Sequence, residues 1–232
     1  MTEFQTPPHM MITRRGALKG SIGLVTAAAG VAAYFSPLPG MGIHGAAAAP
    51  SESELMADGP LPENALGEAT APNTVIEYSS MTCPHCASFH KTIVPELKSK
   101  YVETGQVRYI LREFPLNRMA FAASMLARCA GPEKFFPFVK VLYEKQEVWA
   151  FGEGDPVERL FTMAKQAGFT RESFETCLKD QKLLDGITAV RKRASEKFGV
   201  NSTPTLFVNG QILKGARDIS DLEKLMKLEK KS

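Results

Sequence analysis

The feature that most constrains the fold is a pair of cysteines, Cys83 and Cys86, separated only by Pro84 and His85. The pair directly follows residues 73–80, "NTVIEYSS", where apolar and β-branched residues between turn formers predict a strand. The next segment has a helical pattern, and proline is tolerated in the first turn of a helix. The sequence therefore predicts a strand that leads into a helix, with the first cysteine at the helix N-terminus.

Four kinds of site could use such a pair. Haem attachment requires a histidine directly after the second cysteine, and Ala87 stands there instead. A zinc site needs four ligands; Cys129 and Cys177 stand alone, while the nearby histidines, His85 and His90, share one short helix with both thiols. A structural disulfide between cysteines this close would restrain the unfolded chain little. These arguments favour the fourth kind, a redox-active dithiol, with the zinc and structural sites as alternatives.

The expected position of Cys83 explains how a dithiol could react. Unpaired N–H groups and the positive dipole at a helix N-terminus stabilise a thiolate. One helical turn places Cys86 close to Cys83 but deeper, and His85 can add a hydrogen bond or a positive charge. A stabilised thiolate makes the disulfide easier to reduce, so the pair would oxidise other thiols. The alternative for the intervening Pro-His dipeptide is a simple turn.

The rest of the chain predicts an α/β fold with a helical insertion. Residues 106–114 form a second predicted strand, and residues 116–199 contain helical patterns with short breaks. Asn209-Gly210, within residues 205–213, is typical of a two-residue hairpin turn. A strand–helix–strand start followed by a hairpin and a helix corresponds to a thioredoxin-like fold, with a central mixed sheet flanked by helices.

The N-terminal segment has the features of an export signal. Arg14-Arg15 precedes an uncharged, mildly apolar stretch over residues 20–51, which resembles a twin-arginine signal. Three alanines at residues 46–48 are the expected cleavage site. The apolar run before Pro37 has only about sixteen residues, fewer than the roughly twenty that span a bilayer. Cleavage is therefore favoured, and the alternative is a retained membrane anchor.

Cleavage would leave 184 residues, enough for one well-buried domain, in an oxidising compartment expected to be the periplasm. The whole chain has 28 basic and 25 acidic residues, and the signal holds three of the basic residues and one of the acidic residues. The remainder, with 25 basic and 24 acidic residues, is therefore nearly neutral. That balance argues against a nucleic-acid-binding surface. We predict an export signal at 1–48, a flexible lead-in at 49–72, a thioredoxin-like domain at 73–115 and 200–232, and an inserted helical subdomain at 116–199.

Two motifs, "VIEYSSMTCPHC" and "STPTLFVNG", show a family resemblance. Over about residues 65–229 the chain resembles the DsbA family of thiol:disulfide oxidases, in the thioredoxin superfamily. The resemblance implies that Cys83 is the nucleophile that forms a mixed disulfide with substrate and that Cys86 is the buried resolving cysteine. Pro204 is similar to the family's cis-proline, beside which Thr203 would pair its backbone with a substrate peptide.

Glu77 is similar to the family's buried acidic residue. Val75, Glu77 and Ser79 share one face of the first predicted strand, and a central strand is buried on both faces. We therefore expect burial to raise the pKa of Glu77 and the carboxyl to relay protons to Cys86. The alternative is an exposed glutamate at a sheet edge. His90 is expected at the protein surface.

Cys129 and Cys177 lie in separate predicted helices of the insertion. A bridge between them would close a loop of about fifty residues and stabilise the fold by on the order of 4 kcal/mol in the chain-entropy model. Some members of the wider family carry a second disulfide of this sort. The alternative is two buried free thiols that pack as small apolar groups.

The resemblance implies an exported oxidase that introduces disulfides into reduced, unfolded polypeptides without a cofactor or metal and is reoxidised by a DsbB-like membrane protein. Thr203 occupies a position where the best-known oxidase of the family has valine. A threonine at this position is similar to the isomerase branch. An isomerase or a dedicated reductase is therefore an alternative. Those isomerases carry a preceding dimerisation domain, whereas only the lead-in precedes the catalytic strand here, so we expect a monomer. A non-enzymatic peptide-binding chaperone module is the alternative from another class.

Overall fold

The computed structural model of the protein describes residues 50–228; the predicted export signal lies outside this range. Its elements in chain order are α1 (Glu52–Met56), β1 (Asn64–Leu66), β2 (Asn73–Ser79), α2 (Pro84–Thr92), α3 (Val94–Leu97), a π-helical turn (Lys98–Val102), β3 (Val107–Glu113), α4 (Arg118–Cys129), α5 (Pro132–Glu144), α6 (Gln146–Trp149), α7 (Pro156–Gln166), α8 (Arg171–Leu178), α9 (Gln181–Phe198), β4 (Thr205–Val208), β5 (Gln211–Lys214) and α10 (Ile219–Glu223). Over the described range, no helix combines the length and apolarity needed to cross a bilayer.

A mixed five-stranded sheet with β2 at its centre organises the fold. The order across the sheet is β1, β3, β2, β4, β5. β2 runs parallel to β3 and antiparallel to β4, which aligns Glu77 with Leu111 on one side and Leu206 on the other. Helices cover both faces, and Val75 and Tyr78, which point to opposite faces, are at most 1% exposed. This architecture confirms the predicted α/β, thioredoxin-like fold.

The hairpin between β4 and β5 turns at Asn209 and Gly210, as predicted. Both residues have positive φ angles, 49° at Asn209 and 82° at Gly210. Asparagine and glycine are the residues that adopt such angles most readily, so they suit a two-residue hairpin turn. Asn209 also ties the turn to β2, because its side-chain oxygen accepts a hydrogen bond of 3.0 Å from the Thr74 N–H. The hairpin thereby holds the end of β4 against the start of the central strand.

Between β3 and β4 the chain forms the consecutive helices α4 to α9, which make up the helical insertion. Their apolar faces join the core on one side of the sheet, where Trp149 and Tyr143 are fully buried. The Trp149 indole N–H donates a 2.6 Å hydrogen bond to the Leu142 carbonyl oxygen, so that burial leaves no unpaired donor on the ring. A disulfide joins Cys129, at the end of α4, to Cys177 in α8.

The prediction of a flexible lead-in at residues 49–72 is wrong. This segment contains α1 and the edge strand β1, which pairs antiparallel with β3. Leu55 of α1 is fully buried, and the buried Arg112 guanidinium donates to the Leu55 carbonyl oxygen at 2.7 Å and pairs with Glu63 at 2.8 Å. A five-residue helix and a three-residue strand are too short to show a period, and the arginine that anchors them lies far along the chain.

Candidate active site

The cysteine pair lies where β2 leads into α2. Cys83 is the N-cap residue of α2, in extended conformation, and Pro84 is the first helical residue, which confirms the predicted strand–helix junction. A buried side chain from α6 holds the loop that precedes the helix. The Gln146 amide donates to the carbonyl oxygens of Met81 and Cys83, at 2.8 and 3.0 Å. Nothing in the sequence pattern indicated this contact, because Gln146 lies about sixty residues further along the chain.

The two sulfurs differ in accessibility. Cys83 is 6% exposed, whereas Cys86, one turn later, is fully buried. The loop before β4 faces Cys83, whose Sγ lies 3.3 Å from the Thr203 carbonyl oxygen. The peptide bond between Thr203 and Pro204 is cis. The structure thus brings together both cysteines, Thr203 and Pro204, and leaves Cys83 as the more exposed of the two sulfurs.

The surroundings of Cys83 lower its pKa to about 5. The largest contribution is a hydrogen bond from the Cys86 thiol, and partial burial opposes it. The nearby Thr203 side chain lowers the pKa further, and the backbone N–H groups at positions 85 and 86 add the helix N-terminal contribution that the sequence predicted. The contribution of His85 is made by its backbone N–H, and its imidazole is exposed. Cys83 is therefore a thiolate at neutral pH.

Cys86 has the opposite character. Burial raises the pKa of Cys86 most, and the hydrogen bond to Cys83 and the negative charge of Glu77 raise it further. At neutral pH Cys86 is a thiol that donates its proton toward the neighbouring thiolate. The site therefore contains one ionised and one protonated sulfur, which is the arrangement that thiol–disulfide exchange requires for an attacking and a resolving group.

Glu77 is fully buried on the central strand, as predicted, but the predicted direction of its pKa shift is wrong. Burial alone raises the pKa of Glu77; the charge of His90 and hydrogen bonds from His90, Ser79 and Tyr109 outweigh it and lower the pKa below the usual value. Glu77 Oε2 lies 3.0 Å from His90 Nε2 and accepts a short hydrogen bond from the Tyr109 hydroxyl. Its other oxygen, Oε1, is buried without a partner among the described residues.

His90 is not the surface residue that the sequence analysis expected. Its side chain is only 6% exposed, and its ring stacks on that of Tyr143 with centroids 4.2 Å apart. The Tyr143 hydroxyl in turn lies 2.7 Å from Ser79 Oγ. One signal could have located His90: it follows Cys86 by four residues on the same helix, and such residues share a face. Tyr109 and Tyr143 were missed because β3 and α5 supply them from distant positions in the chain.

An open cleft of about 620 Å³ is lined by Thr203, whose carbonyl oxygen lies 3.3 Å from Cys83 Sγ, and we call it the substrate cleft. Its walls come from α2, the loop before β4 and the segment after β5. The residues that line it include His85, Phe89, Thr203, Pro204, Lys214 and Arg217. Its volume is within the range of ordinary ligand sites. His85, Thr203 and Pro204 thus line one opening close to the Cys83 sulfur.

The second cysteine pair lies apart from this site, on α4 and α8. No group of three or more histidine, cysteine or acidic side chains within residues 50–228 is arranged to hold a metal ion. Within the described residues Cys83 and Cys86 are the free thiols, and the Glu77–His90 pair lies beside them.

Comparison with known proteins identifies the family. A family model described as Thioredoxin matches residues 61–228. A Rickettsia bellii protein, provisionally named a protein-disulfide oxidoreductase, is 36% identical over 146 residues, which are 62% of this chain and 56% of that protein. This chain thus spans little more than half of that relative's length.

Solved structures agree with this family. The crystal structure of Wolbachia pipientis alpha-DsbA1 is 30% identical, with a TM-score of 0.66, and the match covers 75% of this chain and 96% of that one. Oxidised BdbD from Bacillus subtilis has the same fold at 21% identity, with a TM-score of 0.62 over 70% of this chain and 89% of that one. Because both the family model and a near-complete structural match at 30% identity agree, this chain belongs to the thioredoxin family, among its DsbA-like proteins.

Proposed function

We propose that this chain is an exported thiol:disulfide oxidase that transfers a Cys83–Cys86 disulfide to reduced, unfolded polypeptides. The observation that carries the proposal is the unequal ionisation of the two sulfurs. A pKa of about 5 at Cys83 stabilises the reduced form of the pair, and a disulfide whose reduced form is stabilised accepts electrons readily. The names of the relatives support thiol–disulfide chemistry and leave its direction to experiment.

The proposed reaction follows from the positions of the sulfurs. A substrate thiolate attacks Cys83 Sγ, the disulfide breaks, and Cys86 leaves with the electron pair and takes up a proton. A second substrate thiolate then attacks the substrate sulfur of the mixed disulfide. Cys83 leaves as a thiolate and needs no proton, because its pKa is about 5. The substrate loses two electrons and the cysteine pair gains them.

Four further residues have roles in this scheme. Thr203 and Pro204 line the substrate cleft next to Cys83, which supports a role in holding the substrate backbone beside the reacting sulfur. Glu77 supplies the proton-relay group for Cys86, since its charge raises the pKa of that thiol and the two are therefore close. His85 has an exposed imidazole at the cleft wall, where it can contact substrate.

The proposal extends to the cellular setting. It includes export to the periplasm by the twin-arginine route, a monomeric state and reoxidation by a DsbB-like membrane protein. Fusing residues 1–48 to a reporter tests the route: Arg14 and Arg15 replaced by lysines should abolish export. Export that persists in this variant contradicts the twin-arginine assignment. Light scattering of the purified chain tests the monomeric state.

The direction of exchange is tested with ribonuclease. We expect the oxidised chain to oxidise fully reduced ribonuclease rapidly and to recover scrambled ribonuclease poorly, and its redox equilibrium with glutathione to be strongly oxidising. Strong unscrambling with poor oxidation would instead support an isomerase, and a strongly reducing equilibrium would support a reductase. A Cys83→Ala variant that keeps the cellular phenotype of the native chain would identify a chaperone module.

A further inference from the structure

We propose that His90 positions the Glu77 carboxylate and conducts the proton that Cys86 exchanges with solvent, through a groove on the other side of α2 from the substrate cleft. This inference deepens the proposed function and rests on its cysteine chemistry. Proton exchange and electron exchange would then use opposite sides of one helix.

The need for such a route follows from the burial of Cys86. The side chain is fully buried, so its sulfur has no direct contact with solvent. An isolated buried thiolate is costly, and each redox half-cycle must therefore deliver a proton to Cys86 or remove one. Cys83 is itself an anion in the reduced state, so it cannot supply that proton.

The described contacts form a continuous path from Glu77 to His90. Glu77 Oε2 lies 3.0 Å from His90 Nε2, while its Oε1 has no other partner in the described range. Ser79 lies on the same strand face as Glu77 and lowers the pKa of both Glu77 and Cys86, and the charge of Glu77 raises the pKa of Cys86, so the carboxylate and the buried sulfur are neighbours. The carboxylate can therefore exchange a proton with Cys86 on one side and with the imidazole on the other.

His90 is the point at which this network meets an opening. Glu77 and Tyr143 are fully buried, and Tyr109 and Ser79 are each 1% exposed. The His90 side chain instead lines a groove of about 690 Å³ between α5 and the segment formed by β1, α3 and the π-helical turn. The groove shares no lining residue with the substrate cleft. Stacking on Tyr143 orients the ring so that Nε2 meets Glu77.

The charges around His90 permit proton entry. The titratable groups that face it from the packed elements are Glu77 on β2, Tyr109 on β3, Tyr143 on α5 and Cys86 on its own helix. The groove walls carry two cations and two anions, Lys98, Lys140, Glu103 and Glu133. These charges balance, so the groove presents no net barrier to a proton or to a small protonated buffer.

The proton steps balance in both directions. When a substrate thiolate attacks Cys83, Cys86 leaves with the electron pair and takes a proton from the Glu77–His90 pair, which is refilled from water in the groove. When the cysteine pair is reoxidised, the Cys86 thiol gives its proton to Glu77, and His90 releases a proton to the groove.

The test uses the reduced full chain and an excess of an aromatic disulfide, 5,5′-dithiobis(2-nitrobenzoic acid), followed by stopped flow. The first release of coloured thiol reports attack by Cys83, and the second reports attack by Cys86 on the mixed disulfide. We expect His90→Gln to change the rate of the first phase by less than about twofold and to slow the second phase at least about tenfold. General acid–base catalysis contributes about 10²–10⁴-fold to a rate, and Glu77 retains part of that contribution in the variant. Lys91→Gln, an exposed neighbour on α2, is the matched control and should leave both phases unchanged.

A second variant separates proton transfer from a structural role. His90→Ala opens space next to the groove, so added imidazole should accelerate its second phase in proportion to concentration and leave that of the native chain unchanged. A second phase of native rate in His90→Gln would overturn the proposal. Equal slowing of both phases, with no response to imidazole, would also overturn it. Because both phases are measured without ribonuclease, failure to oxidise ribonuclease would refute the proposed function and leave this inference standing.

Discussion

The chain holds two cysteine pairs that differ in almost every physical respect. Cys83 and Cys86 are three residues apart at the N-terminus of one helix, next to the central strand, and are present as free thiols. Cys129 and Cys177 are 48 residues apart, on two helices of the insertion, and are bonded to each other. We refer to them as the proximal pair and the distal pair. Their contrast shows that surroundings and loop length, more than residue type, decide what a cysteine does.

The physical basis of the contrast is twofold. A disulfide restricts the unfolded chain in proportion to the logarithm of the loop it closes, so the distal pair stabilises the fold far more than the proximal pair can. The proximal pair instead has a helix terminus, a threonine hydroxyl and a buried acid around it, which separate the pKa values of its two thiols. One pair therefore suits stability and the other suits exchange.

The largest expected effect comes from removing the reactive sulfur. Cys83→Ala should reduce disulfide exchange with a reduced peptide by more than about 10³-fold, because no other thiolate lies at the substrate cleft. The matched variant, Cys129→Ala with Cys177→Ala, should keep most of the activity. The measurement is the initial rate of peptide oxidation. Comparable losses in the two variants would remove the distinction between the pairs.

Next in size is the stability contributed by the distal pair. Replacing both Cys129 and Cys177 with alanine should lower the free energy of unfolding by on the order of 4 kcal/mol, because the pair closes a loop of 48 residues. Urea unfolding of the oxidised proteins measures this change. Reducing the proximal pair alone should change the stability less at neutral pH, and the reverse order would contradict the loop-length argument.

The proximal pair should also make stability depend on pH. The folded-state pKa of Cys83, about 5, lies below the ordinary value of 9.0, so its stabilising contribution is fully present above about pH 9 and is lost as the pH falls toward 5. The dithiol form should therefore lose up to about 2 kcal/mol relative to the disulfide form between about pH 7 and pH 5. Parallel urea titrations of both forms measure the difference. A constant difference across this range would show that Cys83 is not ionised.

The smallest effect is expected at Thr203. Its side chain lies near Cys83 and lowers the pKa of that thiol. Thr203→Val should therefore raise the pKa of Cys83, and by less than Cys86→Ala, which removes the largest contribution. Thiolate absorbance as a function of pH measures both shifts. If the valine variant shifted the pKa more than the alanine variant, the assigned order of contributions would be wrong.

Local features of the site were predictable from the sequence. The strand that ends before Cys83, the helix that begins there and the Asn209-Gly210 turn each depend on residues close together in the chain. The burial of Glu77 followed from its place on a central strand. In each case the backbone preferences of adjacent residues, or the alternation of strand faces, carry the information.

Predictions about what surrounds these residues were less successful. His90 was expected at the surface, and Glu77 was expected to have a raised pKa; both errors have one cause. The His90 imidazole contacts the Glu77 carboxylate at 3.0 Å. This contact outweighs the effect of burial and lowers the pKa of Glu77. The lead-in at 49–72 was missed because a distant residue, Arg112, holds it against the sheet.

The sequence by itself determined that two cysteines lie at the start of a helix, because their spacing and the strand–helix junction are local properties of the chain. Only the tertiary structure decided which groups surround them, because Tyr109, Tyr143 and Glu77 come from separate elements. The pKa of a buried group depends on every charge and hydrogen bond within a few ångströms, and those neighbours are set by packing.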